Sequence, residues 1–312
     1  MKLLTALLIL VLYSPSAAIS FFVVDGATDG IDTDLQSEIN PTINKTININ
    51  NYDVLKVQIL ANSLEKRIKT SGALLEITAR LPEIRVMPNS SLLNETLATL
   101  NGLTNDVDME RRTIAQNIIL NQNNDISAIG FIMPNGDVYF IEPYSRQENL
   151  TTHNLAFRDY YKGVLNSSKT YLEILNSASS SNRQIDIAVP VLSDNNRLIG
   201  LWVGAINVGV LDQELRSIIL PEGQRILYVD SNGNKIAGSD NNLVPNVKES
   251  FSNLMSFRRA IEGESGSVIE KLNGQQLLIS YSPVEAFNDR WAILWMQPIS
   301  KSVTGTGFKL GG

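Results

Sequence analysis

The strongest constraint on the fold is an order of elements that occurs twice. "ISAIGFIM" (126–133), the turn Pro134-Asn135-Gly136-Asp137 and "VYFIEP" (138–143) predict a hairpin, because Asn-Gly is the strongest short hairpin signal. "FRDYYKGVLN" (157–166) follows as a short amphipathic helix. Three strands come next: "YLEIL" (171–175), "QIDIAVPVL" (184–192) and "RLIGLWVGAINV" (197–208), the last two joined at Asp194-Asn195-Asn196. "LDQELRSII" (211–219) is a helix that leaves the unit. Then "RILYVD", Ser231-Asn232-Gly233-Asn234 and "KIAG" predict a second hairpin, and "VKESFSNLMSFRRAIEG" (247–263) a second helix. "GSVIEKL", Asn273-Gly274 and "QQLLISYSPV" predict another hairpin, and "RWAILWMQPI" (290–299) closes the unit. Pro190-Val191 precedes Pro283-Val284 by 93 residues, and Leu201-Trp202 precedes Leu294-Trp295 by the same 93. Such an offset argues for one unit used twice. Each unit is α+β, a hairpin, a helix and an antiparallel meander, with a sheet covered on one side.

Ahead of the repeat, Val54, Leu55, Val57, Leu60, Leu64, Ile68, Leu74, Leu75 and Ile77 recur at helical spacing up to Arg80, and Pro82 ends the run. A helix over 51–80 spans about 45 Å at ~1.5 Å per residue, longer than one small unit needs. Two shorter helical patterns lie near 91–100 and 106–121. The expected division is therefore 1–18 signal peptide or anchor, 19–50 polar lead-in, 51–122 helical region, 123–220 first unit, 221–300 second unit and 301–312 tail.

"MKLLTALLILVLYSPSAAIS" has a lysine, a short apolar run and small residues suited to cleavage, so it reads as an export signal or a retained anchor. Either way the rest of the chain is expected outside the cytoplasm. Five sequons, at Asn44, Asn89, Asn94, Asn149 and Asn166, are candidate glycosylation acceptors. With no cysteine and one histidine, His153, disulfides, thiolate sites and multi-histidine metal sites are excluded. Net charge is −6 and no long basic block occurs, which argues against a nucleic-acid partner. No nucleophile elbow accompanies the serine clusters, so nothing supports an enzyme. No cofactor is implied.

One stretch concentrates binding chemistry. Arg158 stands among Phe157, Tyr160 and Tyr161, with Tyr171 and Glu173 on the next strand. A guanidinium matches a carboxylate bidentately, and tyrosines supply a flat wall with a hydroxyl. Tyr171 and Glu173 share a strand face, either toward such a pocket or toward solvent. The structural alternative is a helix start whose Asp159 complements the helix dipole, whose tyrosines pack the core, and whose Arg158 pairs with a neighbouring carboxylate.

A long helix followed by two PAS-like units, with "RDYY", "PV" and "IGLWVGAINV" in this order, resembles the double Cache family of extracytoplasmic sensor domains over residues 50–300. The resemblance implies a ligand-binding sensory module for a small amino acid or organic acid. It also implies dimers through the helix 51–80 and a membrane-bound signalling partner. In amino-acid-binding members an arginine equivalent to Arg158 holds the carboxylate. Aromatics equivalent to Tyr160 (where tryptophan is usual) and Tyr161 help to wall the ligand, with a strand tyrosine equivalent to Tyr171. The aspartate that takes the ammonium falls at Asn207, in a strand apolar enough to be buried on both faces, and the amide is a weaker ammonium partner. No Arg–Tyr cluster stands in the second unit, so the first is expected to carry the ligand. A surface-interaction protein reusing the fold without a ligand is the alternative.

Overall fold

The computed structural model describes residues 41–121, 125–177, 183–240 and 249–299. The signal or anchor 1–18, residues 19–40 of the lead-in 19–50 and the tail 301–312 lie outside them, as does the side chain of Asn44.

Helix α1 runs from Pro41 to Thr78, starting ten residues before the predicted position 51. A proline suits a first helical turn because its missing N–H would have had no intrahelical partner there. Farther along, Val57, Ala61, Leu64, Ile68 and Leu75 form its buried stripe. Helix α2 (Ser90–Leu100) is capped by Asn89, whose side chain accepts from the amides of Ser91 and Leu92. Helix α3 (Met109–Asn121) buries two cations, Arg111 and Arg112. Arg112 pairs with Glu142 and donates to the carbonyls of Leu103 and Thr104, both at 3.0 Å. A buried charge persists when it is paired and fully hydrogen-bonded, and this one fastens the helical region to the first sheet.

The first sheet contains β1 (Ile126–Ile132), β2 (Val138–Glu142), β3 (Tyr171–Asn176), β4 (Arg183–Leu192) and β5 (Leu198–Asn207), in the order β2-β1-β5-β4-β3. Between β2 and β3 lie two helices, α4 (Tyr144–Glu148) and α5 (Asp159–Ser167), and α6 (Val208–Ser217) follows β5. The second sheet contains β6 (Arg225–Val229), β7 (Lys235–Gly238), β8 (Gly266–Leu272), β9 (Gln275–Ala286) and β10 (Asp289–Pro298), in the order β7-β6-β10-β9-β8. Its helix, α7 (Met255–Ile261), is shorter than the 247–263 pattern suggests. Both sheets are antiparallel with one strand order, so the fold is α+β with tandem PAS-like units.

Two sequence expectations need correction. The offset of 93 does not hold in register: Pro190 faces Leu201, whereas Pro283 faces Ala292, two residues before Leu294. The sheets are also covered on both faces. One face of each shares a continuous core with α1, while Tyr160, Tyr161 and Val164 of α5 pack the opposite face of the first sheet, and Phe257 and Ala260 of α7 that of the second. Strands β4, β5 and β10 are accordingly apolar on both faces rather than alternating.

Helix α1 lies along both sheets. In its middle third, the Tyr228 hydroxyl donates to the Leu60 carbonyl at 3.3 Å and Gln297 donates to Asp53 at 2.7 Å. Near its end, the Trp202 indole donates to Thr78 at 3.1 Å, and Gly204 lets Leu75 approach where any Cβ would meet its methyl at 2.7 Å. The units also touch directly. Asn288, between β9 and β10, accepts from the Leu172 amide at 2.6 Å and donates to its carbonyl at 3.2 Å. Arg183 pairs with Asp230 at 3.0 Å. Strands β3 and β4 are thus each held by the second unit.

Candidate ligand-binding site

A cavity opens between the first sheet and its helices α4 and α5. Arg158 sits at the N-cap of α5 with extended backbone, φ −66° and ψ 143°, which turns the chain out of the preceding loop. Its guanidinium lies 4.9 Å from the ring of Phe157. Arg146, from the last turn of α4, lines the same cavity. The sheet contributes small residues, Ala128, Gly130 and Ala205, that leave the space, with Leu175 and Val203 as apolar neighbours. The cavity volume is about 60 Å³, small for a ligand site.

The sheet side also carries an acid. Asp186, 6% exposed, stands on β4 directly opposite Glu173 of β3 and opposite Ala205 of β5. Gln184, two residues earlier and so on the same face, donates to its Oδ1 at 2.7 Å. Burial raises the Asp186 carboxyl to about 7; the Glu173 charge adds to the rise, while the Gln184 bond, Arg158 and Arg146 oppose it. Tyr160 is fully enclosed, and burial, with Asp186 and Glu173 nearby, pushes its hydroxyl well above the usual range against the pull of Arg158. It therefore stays protonated and is a hydrogen-bond donor. Two guanidiniums, a phenol, an amide and a buried carboxyl around an apolar floor can hold a small molecule by both an anionic and a cationic group.

Of the residues singled out in the sequence, Arg158 and Tyr160 line this cavity. Tyr161 donates to the Pro134 carbonyl at 2.8 Å and ties α5 to the β1–β2 turn. Tyr171 packs on Gly163 of α5, so closely that a Cβ there would lie 2.2 Å from the ring, and it borders a separate groove with Arg80, Lys169 and Asn288. Glu173 accepts from the Tyr160 amide at 2.9 Å and so caps α5; burial raises its carboxyl, and that bond holds the rise back. Glu270 does the same in the second unit, accepting from the amides of Met255 and Ser256 at 2.6 and 2.7 Å. That unit has Leu254 at the N-cap where the first has Arg158. Arg258 and Arg259 are exposed.

Asn207 is not buried. It is the exposed last residue of β5, and its side chain accepts from the Gly209 amide at 2.9 Å to cap α6. The strand ends there, and a short polar side chain next to a helix start bonds the free amides of that helix. Asp186, Gln184 and Arg146 escaped the sequence reading. The signal for the first two was present: in "QIDIAVPVL", Gln184 and Asp186 are polar residues two apart in a strand otherwise apolar on both faces.

No metal-binding cluster of three or more His, Cys, Asp or Glu occurs among the described residues. No helix among them is long and apolar enough to cross a membrane. Asn89, Asn94, Asn149 and Asn166 are all exposed.

Several solved chemoreceptor domains share the fold. The ligand-binding domain of the Pseudomonas fluorescens chemoreceptor CtaA, solved with L-isoleucine, is 15% identical with a TM-score of 0.55, over 83% of this chain and 96% of that one. That of the Pseudomonas aeruginosa PAO1 amino acid chemoreceptor PctB, solved with L-Arg, is 16% identical with a TM-score of 0.57, over 82% and 98%. The periplasmic sensory domain of the Campylobacter jejuni chemoreceptor Tlp1 is 14% identical with a TM-score of 0.55, over 81% and 96%. No curated protein matches the chain. The dCache_1 model of the Cache domain matches residues 36–306, which include all the described residues, and the chain belongs to that family.

Proposed function

We propose that this chain is an extracytoplasmic sensory module that binds a small α-amino acid in its first unit and performs no catalysis. One observation carries the reading: Arg158 and Arg146 reach the cavity from its helical side, and the buried carboxyl of Asp186 meets it from the sheet. The ligand carboxylate would lie on the guanidiniums, with the Tyr160 hydroxyl as a further donor, and the ammonium beside Asp186. Asp186 thus supplies the acid that Asn207 lacks. The small cavity volume favours an amino acid with a short side chain. The ligands named with CtaA and PctB, L-isoleucine and L-Arg, are larger members of the same α-amino acid class.

Export or anchoring by residues 1–18 would place the module outside the cytoplasm, where it would report to a membrane-bound partner. Pairing of two copies through α1 is supported by a stripe of exposed apolar residues, Tyr52, Leu55 and Ile59, on one helix face. Calorimetry of the protein with glycine and L-alanine tests the binding. Wild type should bind at least one of them. Arg158→Ala should lose binding while keeping its melting temperature, because truncating one side of a buried charge pair costs about 2–5 kcal/mol of affinity. An Arg158→Ala protein that binds as wild type does would refute the site.

A further inference from the structure

We propose that Asp186 makes this cavity charge-selective, taking a zwitterion when its carboxylate is ionised and a simple monocarboxylate when that carboxylate carries a proton. The inference rests on the binding site proposed above and adds what decides between two ligand classes.

The geometry supplies the charge balance. Three charged groups line the space, Arg146 from α4, Arg158 from the N-cap of α5 and Asp186 from β4, and a fourth, Glu173 of β3, faces Asp186 across the strand pair. From α5 the Tyr160 hydroxyl also faces Asp186, and from β4 the neutral Gln184. Strands β1 and β5 contribute Ala128, Gly130, Val203 and Ala205, which carry no charge. With both acids ionised the four charges cancel. A zwitterion then enters without disturbing the balance, whereas a monoanion adds an unbalanced charge to a largely buried site. With one proton on Asp186 the cavity is net positive, which fits a monoanion and removes the partner of an ammonium.

Asp186 is the acid that accepts this proton. It is 6% exposed and its oxygen is bonded by the neutral amide of Gln184. Glu173 lies directly opposite, and two carboxylates facing each other across a strand pair disfavour double ionisation. Glu173 is less enclosed, and its oxygen accepts from the Tyr160 amide at the start of α5, a bond that favours its ionised form. The carboxyl of Asp186 is raised to about 7 by burial, so the exchange falls near neutral pH. Tyr160 remains protonated throughout.

The test is calorimetry of the wild-type protein with L-alanine and with propionate, two probes that differ by the ammonium group, at pH 6 and pH 8.5. Apparent affinity scales with the fraction of protein in the competent protonation state. With the carboxyl near 7, propionate should bind ~30-fold more weakly at pH 8.5 than at pH 6, and L-alanine ~10-fold more weakly at pH 6 than at pH 8.5. Repeating the titrations in two buffers of different ionisation enthalpy should show proton uptake with propionate and proton release with L-alanine. Asp186→Asn, a mimic of the protonated acid, should bind propionate equally at both pH values and L-alanine weakly at both. The wild-type measurements stand even if that variant folds poorly. Binding of either probe with no opposed pH trend and no proton exchange overturns this inference and leaves the binding site intact. Binding of neither probe at either pH overturns this inference, and failure of glycine to bind as well overturns the site.

Discussion

Replacing Asp186 by asparagine should reverse a stability penalty that the wild-type protein bears at neutral pH and above. In the fold the Asp186 carboxyl is raised from 3.8 to about 7, first by burial and then by the opposing Glu173. The folded protein therefore keeps a proton that the unfolded chain gives up. Stability from this group is intact below about pH 4, falls as pH rises toward 7, and is level above that. A rise of about three units at ~1.36 kcal/mol each gives a penalty of ~4 kcal/mol, fully developed by pH 8. Asparagine has the same shape, never ionises, and its amide oxygen can still accept the bond that Gln184 donates. Urea unfolding of ligand-free wild type and Asp186→Asn, at half-unit steps from pH 4.5 to 8.5, measures the effect. The variant should exceed wild type by only about 1 kcal/mol at pH 4.5 and by several kcal/mol at pH 8, with the difference opening between about pH 4 and 7. Parallel curves would mean that Asp186 ionises freely in the fold, and the burial argument would fail. A variant less stable at pH 8 would mean that the carboxylate is held by the arginines more strongly than burial opposes it.

Other expectations follow from single contacts. Glu173→Ala and Glu270→Ala each remove a helix cap and should cost ~1 kcal/mol in chemical unfolding, and Glu270→Ala should leave ligand affinity unchanged. Asn207→Asp should leave L-alanine affinity within about twofold and stability within ~0.5 kcal/mol, since Asp and Asn are comparable caps; a large change in affinity would return Asn207 to the site. Leu55→Asp with Ile59→Asp should reduce self-association in sedimentation without lowering the melting temperature, because both side chains are more than half exposed.

Local chemistry made much of this protein legible in its sequence. Asn135-Gly136 and Asn232-Gly233 fix their turns with positive-φ glycines, at 89° and 82°, that few other residues adopt. The recurring apolar positions of α1 and the repeated hairpin–helix–meander order give the two units and the helix they share. Arg158 is also legible, because a cation at a helix start just ahead of a sheet is a local arrangement. What the sequence could not decide is which polar groups meet across elements. Tyr171 and Glu173 share a strand face, yet one packs on Gly163 and the other caps α5, a division set by how α5 settles on β3. The resemblance implied an ammonium partner at Asn207, but β5 ends there and α6 takes its side chain. Asp186 reads as one polar residue in an apolar strand until the antiparallel register sets it opposite Glu173 and beneath the helices that carry Arg146 and Arg158. Register and helix packing are long-range quantities, fixed by contacts among segments far apart in the chain, and the cavity exists only where those contacts close.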